Sequence, residues 1–403
     1  MKIVAMPPVT LAAMSGDALL AAGAGSAVDT SSPYAAPSGH VMAYTRGLRG
    51  YANEHEQMTR MEVVRRLAAL KGFGVIEEFA QEPVLGSTYL VPSDTLVGTD
   101  LAQALGVKCR DDLFGGVVPH GVVATKAITH PLLSPESAAP EGWSHEYGPM
   151  IRDAVLRGFS AFSRADAREA ARRMLAFGPA RIKRVRETGG RGQFVCRSMA
   201  EVDACLQEMP DAMIERDGVV VEQNLSKVET LSVGQVWVAG MLASYFGYQK
   251  LTTNNRGEEA YGGSDLTVVR GDFHTLLAIE LPHEVRVAVG QALAYNAAVS
   301  ICFPQFFASR INYDVAQGFD EAGAWHSGVL EQSWRAGGAT GAEIAALEAF
   351  RSDPERRIVR ACCTEIYGTT DAPEGSVVYF SGVDQREGPL TKFTTLVQDG
   401  HSA

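Results

Sequence analysis

Four oxygen-bearing side chains late in the chain have the types and spacing for metal-assisted phosphate chemistry. Asn312 and Asp314 lie in Arg310-Ile-Asn-Tyr-Asp-Val-Ala316, and Glu331 and Ser333 in Ser327-Gly-Val-Leu-Glu-Gln-Ser333. Residues two apart in a strand share a face. Strands over residues 311–316 and 327–333, joined by a loop around 318–326, would bring both pairs to one side of a hairpin, with Arg310 and Arg335 flanking them. Hard oxygen ligands beside fixed cations suit a magnesium ion and the phosphates it carries. A surface hairpin with solvated charges has the same short acidic pattern, so the spacing leaves both readings open.

A second group lies upstream. Lys183 sits in Ala180-Arg-Ile-Lys-Arg184, which predicts a strand; Gly189, Gly190 and Gly192 follow, and a further strand opens at Gln193. Glycines let backbone amides close on an anion, and a lysine on the preceding strand can reach the same phosphates. The lysine precedes the glycines and no helix opens directly after them, so this is neither a P-loop nor a dinucleotide fingerprint. A tight hairpin turn is the plainer alternative. Further on, Gly218-Val-Val-Val-Glu-Gln-Asn-Leu225 predicts a buried strand with a polar end. Extended backbone at 223–225 could offer amide and carbonyl groups to a purine edge, and Glu229 could accept from ribose hydroxyls. A hinge between strands with solvated glutamates is the counterpart.

In this order and combination, the islands resemble the ATP-grasp superfamily. The resemblance implies Lys126, in Ala124-Thr-Lys-Ala-Ile-Thr-His-Pro131, and Lys183 as the phosphate lysines. It implies Thr188, Gly189, Gly190, Gly192 and Gln193 as the loop over the phosphates. Glu222, Gln223, Asn224 and Leu225 would be the adenine hinge, and Glu229 the ribose ligand. Asp314, Glu331 and Ser333 would hold magnesium or manganese. Ser333 stands where the superfamily has an asparagine, a stronger oxygen donor. Asn312 competes with Asp314 for the superfamily aspartate, and the anionic residue is the better cation ligand.

More closely, the chain is similar to the bacterial domain-of-unknown-function (DUF) 3182 family. The similarity runs through Asp112-Leu-Phe-Gly-Gly-Val-Val-Pro-His120, Tyr261-Gly-Gly-Ser-Asp-Leu266, Ala308-Ser-Arg-Ile-Asn-Tyr-Asp314 and residues 327–338. The superfamily resemblance implies an ATP-dependent ligase in which a substrate carboxylate becomes an acyl phosphate and is attacked by an amine or similar nucleophile. Arg310, Arg335 and Lys183 would be its catalytic cations. Gly262, Gly263 and Ser264, read as a turn, and Arg270 are the expected acceptor-binding residues. Small carboxylates and amines are the implied partners, with a homodimer by family analogy. An ATP-grasp kinase and a non-catalytic nucleotide-binding regulator are the rival readings.

The bulk properties agree with an enzyme of small molecules. A chain of 403 residues is expected to form several lobes: a flexible segment 1–36, a small α/β lobe 37–125, lid and hinge 126–235, a metal-bearing lobe 236–355 and an extension 356–403. The net charge of −11 argues against nucleic acid as main partner. The basic run Arg172, Arg173, Arg181, Lys183, Arg184, Arg186 and Arg191 overlaps the proposed lid, where a small polyanion fits. Six cysteines without metal spacing read as reduced thiols of a cytoplasmic protein. No His-Glu-x-x-His pattern supports zinc. Pro7-Pro8 and Ser15-Gly-Asp17 interrupt the apolar core an export signal needs. No run of eighteen apolar residues occurs, so no membrane span is expected.

The positioning elements follow from periodicity. Met58, Met61, Val64, Leu67 and Leu70 predict a helix over 56–72. Residues 89–92 and 117–123 read as strands and 131–148 as a loop. Ser163 and Ser198 start helices, the first stopped by Gly178-Pro179. A hairpin is expected over 231–238 and 241–250, a helix over 284–300, and a helix capped by Thr340 to about Phe350. A helix over 356–367 and strands at 376–381 and 390–396 complete an α/β fold with an α+β lid.

Overall fold

Alternating apolar residues dominate the chain after residue 226, and the long strands they dictate join one sheet. The computed structural model describes residues 38–45, 53–77, 87–187 and 192–397. The segment 1–36 expected to be flexible, and Thr188, Gly189 and Gly190 of the loop, lie outside the described residues. The lobes expected from 37 onward are parts of one compact unit, Pro37–Ala403.

The first region holds β1 (Gly39–Tyr44), α1 (Glu54–Lys71), β2 (Gly74–Ile76) and β3 (Ser87–Pro92), with the strands parallel in the order β2-β1-β3. Gly72, at φ 68°, ends α1 in the left-handed conformation that glycine tolerates best. β4 (Leu96–Val97), α2 (Thr99–Ala104) and β5 (Gly116–Val118) follow. The strand expected over 117–123 ends at Val118, and Gly121–Ala124 coils into a 3₁₀ turn.

The lid comprises α3 (Tyr147–Ile151), β6 (Gly158–Ala161), α4 (Arg164–Met174), β7 (Ala180–Arg184), β8 (Gln193–Cys196), α5 (Met199–Gln207), α6 (Asp211–Asp217) and β9 (Val219–Gln223). Its antiparallel sheet runs β6-β9-β7-β8. The two serines cap as expected: Ser163 Oγ accepts from Asp166 N, and Ser198 Oγ from Glu201 N. Ala167, Ala170, Ala171 and Met174 of α4 bury against Val202 and Leu206 of α5 and the sheet.

The remainder is β10 (Ser226–Val238), β11 (Met241–Thr253), β12 (Glu259–Arg270), α7 (Phe273–Ala278), α8 (His283–Cys302), β13 (Phe307–Ala308), β14 (Arg310–Phe319), β15 (Trp325–Ser333), α9 (Thr340–Ser352), β16 (Ile358–Tyr367), β17 (Val377–Asp384) and β18 (Gly388–Val397). Eight strands line up as β15-β14-β10-β11-β12-β16-β18-β17, while β13 joins β5 and β4 in a small separate sheet. One face of the large sheet packs α8 through Val285, Val289, Ala292 and Tyr295; the other packs α1 and α9. α8 is long and apolar enough to cross a membrane, at mean hydropathy 1.3, but Val285, Ala288, Val289, Ala292, Tyr295, Ala298 and Val299 are buried in this core.

Several expectations are corrected here. Residues 356–367 do not form a helix: Ile358–Tyr367 is a strand held between β12 and β18. The expected extension therefore widens the main sheet. Gly262, Gly263 and Ser264 do not form a turn but lie inside β12. Gly263, at φ 134°, lets the Cys363 carbonyl approach where a Cβ would clash. Thr340 does not cap α9: Ala339 is the N-cap, and the Thr340 hydroxyl accepts from Gly337 N at 2.9 Å. The hairpin loop is shorter than expected, with strands reaching Phe319 and resuming at Trp325.

Candidate active site

β14 and β15 pair antiparallel with Asp314 facing Glu331 and Asn312 facing Ser333. A register slip between Asp314 and Val315 interrupts the ladder beside the carboxylates. Asp314 Oδ1 accepts from Gln249 Nε2 at 2.8 Å and Asn312 Nδ2 at 3.0 Å, with Ser232 Oγ at 3.5 Å. Burial first, and then the Glu331 charge, push the Asp314 carboxyl up to about 6. Two carboxylates set against each other in a partly buried place are a donor set for a divalent cation. Ser333 is a poorer third donor, because its hydroxyl and carbonyl both accept from Arg310 Nη1.

Lys126 joins this pair to the lid. It stands in a 3₁₀ turn, Lys126–Thr129, started by Thr125, whose hydroxyl accepts from Ala127 N. Its Nζ lies 2.8 Å from Glu331 Oε2 and donates to the Glu187 carbonyl at 3.0 Å. Glu187 is the last described residue before the glycine loop, so one lysine touches both Glu331 and the residue that precedes the loop. It ends at Gly192, where φ is 65° and a Cβ would come within 2.7 Å of Glu187. Val329 N donates to the Ala154 carbonyl at 2.9 Å, tying the base of the lid to β15.

Lys183 is buried on β7 and sits 2.5 Å from Glu222 Oε1 on β9; His130 Nε2 lies 3.1 Å from the other oxygen. Burial alone would raise the Glu222 carboxyl, but Lys183 and His130 outweigh it and hold it at about 2. The Gln223 amide donates to Arg157 O and the Asn224 amide to Pro179 O. Those two hinge amides are therefore occupied by the fold rather than open to a purine. Leu225 is buried. Arg181, between Gln193 Oε1 and Asn224 Oδ1 at 2.9 and 2.8 Å, fastens the hinge to the strand after the loop. Glu229 is exposed where the β10–β14 register slips. Burial and the charges of Glu229 and Glu284 raise the Tyr248 phenol.

Two expected roles change. Arg310, read as a cation for developing charge, is 1% exposed. Its Nε lies 3.1 Å from both Glu343 oxygens and its Nη2 2.7 Å from Oε1, while Nη1 donates to the carbonyls of Ser333 and Arg335. It is committed to the protein and props the end of β15. The Tyr245 hydroxyl completes the network, 2.5 Å from Glu343 Oε1 and 3.0 Å from Asn312 Oδ1. Arg270, read as an acceptor ligand, lies over the Phe350 ring and donates to carbonyls of Phe350, Asp353 and Arg356, pinning the turn after α9. Ser264 is buried and bonds the Tyr261 hydroxyl at 2.7 Å. Arg335 is partly exposed, 3.4 Å from Asp94, at the wall of a cavity.

Sequence reasoning passed over Gln249, Tyr245 and Glu343, and held Arg181 only as part of a basic run. Gln249 and Tyr245 share strand alternation, a signal that was there to use; Glu343 gave none. Among the described residues no cluster of three or more His, Cys, Asp or Glu side chains has metal-binding geometry. A cation at Asp314 and Glu331 would need its other ligands from phosphate or water, as magnesium commonly does.

No curated protein matches the sequence. A family model described as "Protein of unknown function (DUF3182)" matches residues 43–394. Among solved structures the chain is similar to biotin carboxylase from Campylobacter jejuni in complex with β-γ-ATP, at TM-score 0.52 and 9% identity over 89% of this chain and 87% of that one. It is also similar to phosphoribosylamine–glycine ligase from Thermotoga maritima, at TM-score 0.48 and 13% identity over 89% and 92%. D-alanine–D-alanine ligase from Bacillus anthracis gives TM-score 0.46 and 13% identity over 77% and 92%. The biotin carboxylase likeness shows the fold, which is ATP-grasp in a mixed α/β chain.

Proposed function

The chain belongs to the DUF3182 family, and from that membership and its ATP-grasp fold we infer a ligase that binds ATP with magnesium and joins a carboxylate to an amine or similar nucleophile. The observation that carries this is Asp314 facing Glu331 across one hairpin, with Lys126 reaching from Glu331 to the start of the glycine loop. Magnesium or manganese, held by Asp314 and Glu331 with Ser333 beside them, supplies neutralisation of phosphate charge.

The chain's own residues do the rest. Lys126 and Lys183 hold phosphate oxygens; in the free chain they pair with Glu331 and Glu222. Thr188, Gly189 and Gly190, with Gly192 and Gln193, close over the phosphates by backbone amides. Glu222 and the Gln223–Leu225 backbone border the base, chiefly through carbonyl groups, since two of the amides are engaged. Glu229 takes the ribose. Arg335 faces the carboxylate that becomes an acyl phosphate, the place first given to Arg310. Arg310 acts through Ser333 and Arg335, whose carbonyls it holds. The six free cysteines fit a cytoplasmic enzyme.

ADP or AMP release by the full chain, supplied with pools of amino acids, polyamines and small carboxylates, tests this directly. Stimulated release that Glu331→Gln abolishes, with an unchanged circular dichroism spectrum, is expected; an unchanged rate in Glu331→Gln refutes it.

A further inference from the structure

A cavity of about 370 Å³ opens between α1, the start of α9 and strands β16–β18. We propose that it is the acceptor subsite of the ligase and takes a small zwitterion: an α-amino acid, with one carboxylate and one ammonium group. This rests on the ligase reading above.

Its position follows from Gly337 and Gly338. A Cβ on Gly338, which lines the cavity, would collide with the Tyr261 ring. Gly337, in the same wall, lies against the end of β15: a Cβ there would be 3.9 Å from Ser333 Oγ and 4.0 Å from Arg310 Nη1. The cavity therefore adjoins the end of the hairpin that carries the carboxylate pair. Arg335, only two residues beyond Ser333, belongs to the cavity wall.

Its chemistry follows from charge and unmet hydrogen bonding. Arg335 and Lys392 line it, and so do their partners Asp94 and Glu365, at 3.4 and 3.1 Å. A wall with both signs favours a ligand with both signs. The start of α9 supplies a further positive end: its N-cap, Ala339, has no capping side chain, and Gly337, Gly338 and Gly341 keep backbone near the cavity. An independent observation points to an occupant. Tyr379 lines the cavity at 6% exposure, and its hydroxyl has no hydrogen-bond partner; the Thr59 hydroxyl in the same wall has none either. Buried hydroxyls left unpaired are costly, and a polar ligand would pair both. The volume lies within the usual range for small-molecule sites.

Saturation-transfer NMR on the full chain, with the twenty proteinogenic amino acids as probes and their deaminated acids and decarboxylated amines as controls, tests the proposal. At least one amino acid should bind and the controls should not. Tyr379→Phe should weaken that binding about tenfold, the worth of one hydrogen bond, and Glu365→Gln by at least as much. Because Tyr379→Phe removes an unpaired hydroxyl, the free chain should unfold at the same or a higher urea concentration, so lost binding is not lost folding. If no amino acid binds, or both variants bind as the parent does, the subsite is overturned. ATP binding is measured on the same samples: ATP binding without amino-acid binding sinks the subsite alone. Amino-acid binding without ATP binding sinks the ligase and the acceptor role with it.

Discussion

Replacing Glu343 by glutamine should cost about 3–5 kcal/mol of stability, the loss expected when one partner of a buried ion pair is removed. Glu343 is fully buried and Arg310 is 1% exposed, so no water can take over the guanidinium charge. Glu343 receives the donors of Nε and Nη2 at 2.7 to 3.1 Å and the Tyr245 hydroxyl at 2.5 Å. A glutamine keeps the shape, but it loses the charge and half the acceptor capacity. Glu343 is the main group that offsets the burial of Arg310; without it the guanidinium is left charged, because an arginine's ordinary value is too high to give up its proton, and unpaired in the interior. A loss of that size is a large share of the about 5–15 kcal/mol that folded domains possess. Urea unfolding of the full chain, followed by fluorescence, reads it as a lower midpoint. The double variant Arg310→Met with Glu343→Leu should regain most of the loss, because neither charge remains buried. It should still turn over ATP poorly, since nothing then holds the Ser333 and Arg335 carbonyls. A loss below about 1 kcal/mol in Glu343→Gln, the range of exposed pairs, would refute the assignment of Arg310 to the interior.

Glu222 sets an acid limit. Its carboxyl is held at about 2 in the fold against an ordinary 4.5. Its contribution is therefore complete above about pH 4.5 and lost as pH falls toward 2, on the order of 3 kcal/mol in all. Urea midpoints between pH 5 and 2.5 should fall less steeply in Glu222→Gln than in the parent, and parallel curves would contradict the Lys183–Glu222–His130 cluster. Gly192→Ala forces a side chain into φ 65° against Glu187, costing about 1–2 kcal/mol locally. It should raise the KM for ATP while the urea midpoint moves little; an unchanged KM would separate this loop from the phosphates.

What could be read from sequence was what local pattern encodes. The helices begun by Ser163 and Ser198 and the hairpin turning at Ala239-Gly240 follow from caps, glycine and alternation over a few residues. The errors arose where distant partners decide. Ile358–Tyr367 carries enough apolar residues for a helix, but it lies between β12 and β18, and two ladders of hydrogen bonds outweigh its propensity. Gly262-Gly263 has the composition of a turn, yet it serves close strand packing against Cys363. Thr340-Gly-Ala-Glu343 looks like a capping box, but Glu343 turns away to Arg310, thirty-three residues earlier. His130 meets Glu222 across ninety-two residues, a pairing no local spacing announces. The carboxylate hairpin was legible because both its strands and their alternation are local; the occupant of Arg310 was not.

The central claim, that Asp314 and Glu331 together hold the cation that ATP brings, is tested most directly with manganese. Electron paramagnetic resonance of Mn²⁺ titrated into the full chain with a non-hydrolysable ATP analogue should show bound metal. That signal should fall at least about a hundredfold in affinity in both Asp314→Asn and Glu331→Gln, as expected when an anionic ligand is lost. Equal Mn²⁺ affinity in the parent and both variants would contradict it.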